Sequence, residues 1–461
     1  MDKIKKYFDE IRDKKILIQG LGLNGGGVGT ALFFLENGIP VTITDLKTEK
    51  DLAKSIDELS KYNDLITYVL GEHRESDFVN ADIVVKGPGV PPTNKFIQIA
   101  KQNNAQITSD IGIFSKIVPC PIFALTGSKG KSTTVSVIYS IFKAKSKNSF
   151  IGGNITISPL TFYKDLTEES LLILELSSWQ LRDIKEEKFL FSGAGITNLL
   201  RDHQNYYQNM ETYLVDKAII TQNQTKNEFL LLPYNDFHLN SKNINTNAQI
   251  YYFSKDDSKA NFYYENGIAF YNDGKTKTKI FDSKIINVIG EHTKLNILIA
   301  AGFCFLGGID LQSIEEGIKN FTGVSFRLEL IREWNGIKFY NDTTATIPDA
   351  AVSAIKSFST PIIWIAGGND KNLDFSCVKE ISGIPKKIFM LKGDGTNKMR
   401  QFLDRNDIIE GSSLEELLTL GIKESQKGDI ILLSPGCTSF GLFQNEFHRG
   451  EVFNDFVRNL K

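Results

Sequence analysis

The stretch PIFALTGSKGKST, Pro121 to Thr133, decides the fold of this chain. A short apolar run, Pro121 to Leu125, reads as a buried strand. A glycine turn follows, and a helix is expected from Lys131. The turn lacks the full G-x-x-x-x-G-K-[ST] spacing, because Leu125 stands where the first glycine would be. The GKST core keeps the physics. Backbone N–H groups of Gly127, Ser128, Lys129 and Gly130 can cradle phosphates, Lys131 can reach the outer ones, and Ser132 or Thr133 can hold Mg²⁺. A lysine-rich solvated turn is the plain alternative. The strand before it and the hydroxyls after it favour a nucleotide.

Downstream, LLILELSSWQL places Glu175 at the end of an apolar strand, well placed for Mg²⁺ beside such a loop. A carboxylate capping a neighbouring helix is the structural alternative. Ser177, Ser178 and Gln180 add polar groups at the same exit. Upstream, KILIQ (Lys15 to Gln19) runs into Gly20-Leu21-Gly22-Leu23-Asn24-Gly25, a G-x-G-x-x-G, with Asp45 ending the next strand. That pattern lets backbone approach a diphosphate at a helix N-terminus. Alone it leaves a dinucleotide site and a bare tight turn both open, and Gly26, Gly27 and Gly29 blur its register. Ala81 to Val85 is a further strand, broken by Gly87-Pro88-Gly89.

Strands alternating with helix-length amphipathic segments make the chain α/β. Three units are expected: a Rossmann-like one over 1–109, a central P-loop ATPase-like one with a mostly parallel sheet over 110–322, and a Rossmann-like one over 323–461. Residues 223–286, rich in Tyr, Phe, Asn and Lys, read as a partly antiparallel meander. Strands of the third unit are expected at Ile337 to Tyr340, Ile362 to Ala366, Lys387 to Leu391 and Ile430 to Leu433. Ile297 to Ile309 is too short to span a bilayer and reads as a buried helix.

Composition narrows the partners. The 461 residues carry 53 Lys+Arg and 55 Asp+Glu, which argues against nucleic-acid binding through a broad basic surface. The 4 cysteines are far apart and form no Cys-x-x-Cys, so a reducing, cytoplasmic setting is expected without disulfide or zinc staples. The charged N-terminus, without an apolar core, is not expected to act as a signal peptide. His203 and Lys217 stand alone. A lone histidine is usually structural and a lone lysine solvated. His73, His238 and His448 read as surface residues.

Taken in order, G-x-G-x-x-G, T-G-x-x-G-K-S-T, ELSS-x-QL, His203, Lys217, Arg327 and Asn341-Asp342 resemble the Mur ligases, which add amino acids to the peptidoglycan stem peptide with ATP. The likeness spans essentially the whole chain, and ELSSWQL with GLGLN points to the branch that adds glutamate. The resemblance implies that Leu23, Asn24 and Asp45 contact a uridine, with Gly87 and Gly89 nearby, and that the glycine turn binds a sugar-nucleotide diphosphate. Lys131, Ser132 and Glu175 match the ATP and first Mg²⁺ site. Asn154, Ser177 and Gln180 fall near the sugar nucleotide. His203 matches a ligand of a second Mg²⁺, and Lys217 a lysine carbamylated by CO₂. Asn296 matches an adenine contact, and Arg327 and Asp342 match contacts to the γ-phosphate and ribose. Thr346, Lys371 and Ser439 match the pocket for the incoming amino acid. Thr293, Thr344 and Glu446 depart from the family pattern. A monomer acting on a UDP-linked acceptor, ATP and glutamate, with no nucleic acid or membrane partner, is expected.

Overall fold

The computed structural model describes residues 2–23, 25–155, 157–187, 189–200, 207, 209–439 and 441–461. The chain divides into two compact units. One comprises Met1–Ile286 with Leu295–Asn320, the other Asn287–Lys294 with Phe321–Lys461.

The first unit holds two sheets. The first sheet is built from β1 (Ile16–Gln19), β2 (Val41–Asp45), β3 (Ile66–Leu70), β4 (Ile83–Lys86) and β5 (Gln106–Thr108). Helices α1 (Asp2–Ile11), α2 (Gly26–Leu35), α3 (Ala53–Leu59), α4 (Glu75–Asn80), α5 (Lys95–Gln102) and α6 (Asp110–Ile117) accompany it. The order is β3-β2-β1-β4-β5, all parallel. β1 and β4 are buried along their whole length, as strands covered on both faces must be. Ile16 and Ile18 face one core and Leu17 the other. Chain order reverses between β1 and β4, so the crevice at their carboxyl ends is where such a sheet takes a ligand.

The second sheet contains β6 (Ile122–Thr126), β7 (Ser149–Gly153), β8 (Leu171–Glu175), β9 (Gly193–Ile196), β10 (Phe229–Pro233), β11 (Gln249–Phe253), β12 (Phe262–Glu265), β13 (Ile268–Asn272) and β14 (Lys277–Asp282). Its helices are α7 (Lys131–Lys145), α8 (Ser178–Asp183), α9 (Met210–Ala218), α10 (Glu291–Leu306) and α11 (Leu311–Asn320). The order is β14-β13-β12-β11-β10-β9-β6-β8-β7. β6 lies between β8 and β9, parallel to both. The meander is antiparallel only from β12 to β14, since β10 and β11 pair in parallel.

The second unit carries β15 (Glu329–Trp334), β16 (Ile337–Asn341), β17 (Ile362–Gly367), β18 (Lys387–Leu391), β19 (Ile409–Gly411) and β20 (Ile430–Leu433). With them go α12 (Pro348–Lys356), α13 (Asp394–Arg400), α14 (Leu414–Glu424) and α15 (Glu446–Arg458). The order is β15-β16-β20-β17-β18-β19, parallel except for β15. The four expected strands of this unit are present. β15 and β19 went unread, β15 because its charged residues hide the apolar alternation.

All four cysteines are free thiols. Among the described residues no helix is long and apolar enough to cross a membrane. His73 corrects the sequence reading. It is half-buried, its Nδ1 sits 2.7 Å from Thr44 Oγ1, and its ring packs edge-on against Phe78 and Phe96.

Candidate active site

Three neighbouring strands of the second sheet end at one place. β6 delivers the phosphate loop, β8 delivers Glu175, and β9 delivers Thr197 and Asn198. Gly127 has φ 146°, and a Cβ there would collide with Thr197 Oγ1, so only glycine fits. Asn198 brackets the loop: its Oδ1 accepts the Lys129 N–H at 2.9 Å and its Nδ2 donates to the Lys129 carbonyl at 3.0 Å. Ser128 Oγ donates to the Leu200 carbonyl and accepts the Leu200 N–H. The loop is therefore shaped before any ligand arrives. Ser132 and Thr133 lie half-buried in the first turn of α7, behind Gly130 at its N-cap. Asn296 of α10 presses against the loop, 2.5 Å from where a Gly130 Cβ would stand.

Lys131 Nζ donates to the Gly127 and Ser128 carbonyls at 2.9 and 3.0 Å. Lys217, on α9 and 1% exposed, donates to the same Gly127 carbonyl at 2.9 Å. Its ammonium also lies 4.5 Å from the centre of the Tyr213 ring. Two ammonium groups thus share one loop carbonyl. Glu175 is buried; its Oε1 accepts from Asn154 Nδ2 at 3.0 Å, while Oε2 has no partner among the described residues. Ser177 and Gln180 form a capping box on α8.

At the first sheet, Asp45 is buried and its carboxylate is already engaged. Oδ2 accepts the Leu21 and Gly22 N–H groups at 3.0 Å each, and Oδ1 that of Lys47 at 2.9 Å. It shapes the glycine turn, leaving exposed Leu23 beside it. Gly27 is required because a Cβ would overlap the Leu21 carbonyl. Gly87 and Gly89 lie in the loop after β4, at the same sheet edge. This loop, Trp179, Arg182 and Asp183 line a cavity of about 230 Å³.

In the second unit, adjacent β16, β20 and β17 end together. β16 leads to Asp342 and Thr346, β20 to Ser439 and β17 to Lys371. Asp342 accepts from Ser434 Oγ at 2.7 Å and from the Leu328 N–H at 3.2 Å. Burial pushes its carboxyl up to about 7. Arg327 is exposed between Phe326 and Leu328, which adopt φ 66° and 45°. Asn369 and Thr438 exchange backbone hydrogen bonds, tying the Lys371 loop to the Ser439 loop. Ser439 Oγ is buried with no partner among the described residues. Asn24 and His203 lie outside the described residues.

Residues 14–109 match the Mur ligase MurD-like N-terminal domain, and residues 125–304 the Mur ligase middle domain. A UDP-N-acetylmuramoylalanine–D-glutamate ligase of Borreliella afzelii is 40% identical, over 98% of this chain and 99% of its own. One from Roseiflexus is 34% identical, over 98% of this chain and 100% of its own. The chain belongs to the Mur ligase family. Among solved structures, the UDP-N-acetylmuramate-alanine ligase MurC of Thermotoga maritima has a TM-score of 0.65 at 18% identity, covering 97% of this chain and 100% of its own. MurF of the same organism, in complex with ADP, scores 0.56 at 14% identity, over 91% and 95%.

Mur ligases are ATP-dependent enzymes that form C–N bonds and use Mg²⁺. The residues at the phosphate loop fit that ion. A buried carboxylate oxygen without a hydrogen-bond partner, Glu175 Oε2, calls for a cation. Lys217 as an ammonium would repel Mg²⁺, whereas a carbamate on it would offer two oxygens. Of the departures from the Mur ligase pattern, Thr344 and Thr293 bond through their side chains and Glu446, among the described residues, only through its backbone. Thr344 Oγ1 donates to the Phe326 carbonyl, Thr293 Oγ1 to the Ile289 carbonyl, and the Glu446 carbonyl accepts from Thr343 Oγ1. Sequence reasoning missed Asn198, which stands two residues past the end of β9, and Arg449, whose surroundings only folding reveals.

Proposed function

We propose that this Mur ligase joins D-glutamate to UDP-N-acetylmuramoyl-L-alanine with ATP, in the cytoplasmic synthesis of peptidoglycan precursors. The observation that carries it is the phosphate loop, with Lys217 of α9 bonded to its Gly127 carbonyl and Glu175 at the neighbouring β8 strand end, in a chain 40% identical to a ligase of that name. A carboxylate oxygen of the L-alanyl acceptor attacks the γ-phosphorus, and the bond to ADP breaks. Lys131 leaves its loop carbonyls for the outer phosphates, and Arg327 neutralises the γ-phosphoryl oxygens. Asn296 holds the adenine and Asp342 the ribose. The glutamate amine then attacks the acyl carbon, loses a proton, and phosphate leaves as the amide forms. Thr346, Lys371 and Ser439 hold the glutamate, a cation and hydroxyls suiting a dicarboxylic acid.

Bound Mg²⁺ supplies charge neutralisation at the phosphates. Ser132, Glu175, His203 and Lys217 as its CO₂-derived carbamate would hold two ions. Leu23 and Asn24, with the loops at Gly87 and Gly89, contact the uridine, and the glycine turn that Asp45 holds in shape takes the diphosphate. Asn154 and the α8 start at Ser177 and Gln180 face the sugar. The three α/β units over 1–109, 110–322 and 323–461 serve the UDP-sugar, ATP and the amino acid in turn, in a monomer.

The test is phosphate release with UDP-N-acetylmuramoyl-L-alanine and ATP, run with D- and L-glutamate in parallel. Release that needs acceptor and D-glutamate together is expected. Release indifferent to the acceptor would overturn the reading.

A further inference from the structure

Arg449, the fourth residue of α15, is fully buried. Its Nε donates to Thr343 Oγ1 at 3.0 Å, one terminal nitrogen to the Thr343 carbonyl at 2.9 Å, and the other to the Cys437 carbonyl at 3.3 Å. Every one of these acceptors is uncharged. Among the described residues no carboxylate pairs with it; Glu446, three residues earlier, acts only at longer range. Burial pulls the guanidinium down to about 10, so it stays charged at neutral pH. It also sits in the first turn of a helix, where the backbone dipole is already positive. A buried cation without a counterion, placed against a helix dipole, destabilises a fold. Its three hydrogen bonds stitch two loops, but the charge itself adds nothing to stability.

Its position gives the charge a use. The Thr343 loop leads to Thr346 and the Cys437 loop to Ser439, and the Lys371 loop is tied to Thr438. Ser439 Oγ, buried and without a partner among the described residues, is a second group awaiting a ligand. We propose that Arg449 is a positioning residue of the amino-acid subsite. It holds the Thr343 and Cys437 loops together, and its unneutralised charge favours a dicarboxylic over a neutral amino acid. The inference rests on the ligase reading above and adds to it the origin of charge selectivity.

The experiment compares kcat/KM for D-glutamate with that for D-glutamine in wild type, Arg449→Met and Arg449→Lys. Arg449→Met is expected to lower the glutamate-to-glutamine ratio about tenfold or more, as one missing charge acts across several ångströms of partly polar medium. The KM for ATP should change less than the KM for glutamate, because Arg449 bonds Thr343 and Cys437 and makes no bond to Asp342. Arg449→Lys keeps the charge and should keep the ratio even where it lowers Tm. A folded Arg449→Met protein with an unchanged ratio would overturn the inference. So would a folded Arg449→Lys protein with a collapsed one, which decides the matter if the methionine variant does not fold. Wild-type protein inert toward glutamate would instead overturn the ligase reading, and this inference with it.

Discussion

At the scale of single residues, Lys217 and Asp342 carry the clearest expectations. Lys217 is buried against the phosphate loop, and its ammonium occupies a carbonyl, not a phosphate. Lys217→Ala should nearly abolish ligation, with partial rescue by short carboxylates that stand in for the carbamate. Full activity of this variant would sink the carbamate idea. Asp342 has its carboxyl raised to about 7 by burial. The unfolded chain ionises this group near the ordinary carboxylate value, so between about pH 4 and pH 7 the folded state holds the extra proton. Its contribution is therefore full at low pH and lost as pH rises through 7. Asp342→Asn keeps an acceptor for Ser434 and removes the titration. It should raise Tm by a few degrees at pH 8 and by less at pH 5, read by calorimetry. A larger gain at pH 5 would contradict the sign.

Residue types and order made GSKGKST and Glu175 legible, because phosphate chemistry demands glycine, lysine and carboxylate in fixed places. Asp45 was legible as a position, but its carboxylate is spent on the Leu21, Gly22 and Lys47 N–H groups. No pattern distinguishes those two uses. Arg449 was not legible, since FHRGEVF reads as an ordinary helix start and burial is a property of the packed loops.

Among elements, α8 shows one motif serving two purposes. ELSSWQL was read for its chemistry, yet Ser177 and Gln180 also close a capping box that fixes where the helix begins. At the other end of α8, Asp183 receives Lys86 Nζ at 2.7 Å, both side chains being buried. The same ammonium donates to the Val90 carbonyl at 2.9 Å, so β4, the Gly87–Val90 loop and α8 are pinned together. Burial outweighs the lysine and lifts Asp183 to about 6. Lys86→Met alone strands a buried carboxylate and should cost about 3–5 kcal/mol in denaturant unfolding. Adding Asp183→Leu should recover most of that loss, because an apolar pair needs no desolvation. A double variant as unstable as the single one would mean that the pair is not coupled. The pair lay 97 residues apart, beyond what local periodicity can register.

For the whole molecule, the proposed uridine, phosphate and glutamate sites lean on different strand ends, those of β1 and β4, of β6 and β8, and of β16, β17 and β20, while the proposed ATP ribose contact Asp342 shares β16 with the glutamate site. Ligand stabilisation should be separable as a result. ATP with Mg²⁺ should raise Tm of the wild type. Lys131→Ala should lose that rise while keeping the rise given by UDP-N-acetylmuramoyl-L-alanine. Loss of both together would show that the sites do not act apart. The alternation of strands and helices foretold the sheets, whereas the charged β15 needed its partner β16 to become a strand.

The nine-stranded sheet has one further consequence, at its β14 border. An open strand of unpaired amides invites another chain to add to it. Here Lys277 and Lys279 are exposed on that border strand, and Lys277 turns back over the Phe270 and Tyr263 rings while pairing with Glu265 at 2.6 Å. Lysines on an edge strand make docking of a second strand electrostatically unfavourable. The rim of the aromatic-rich meander is thereby guarded against the addition of a foreign strand.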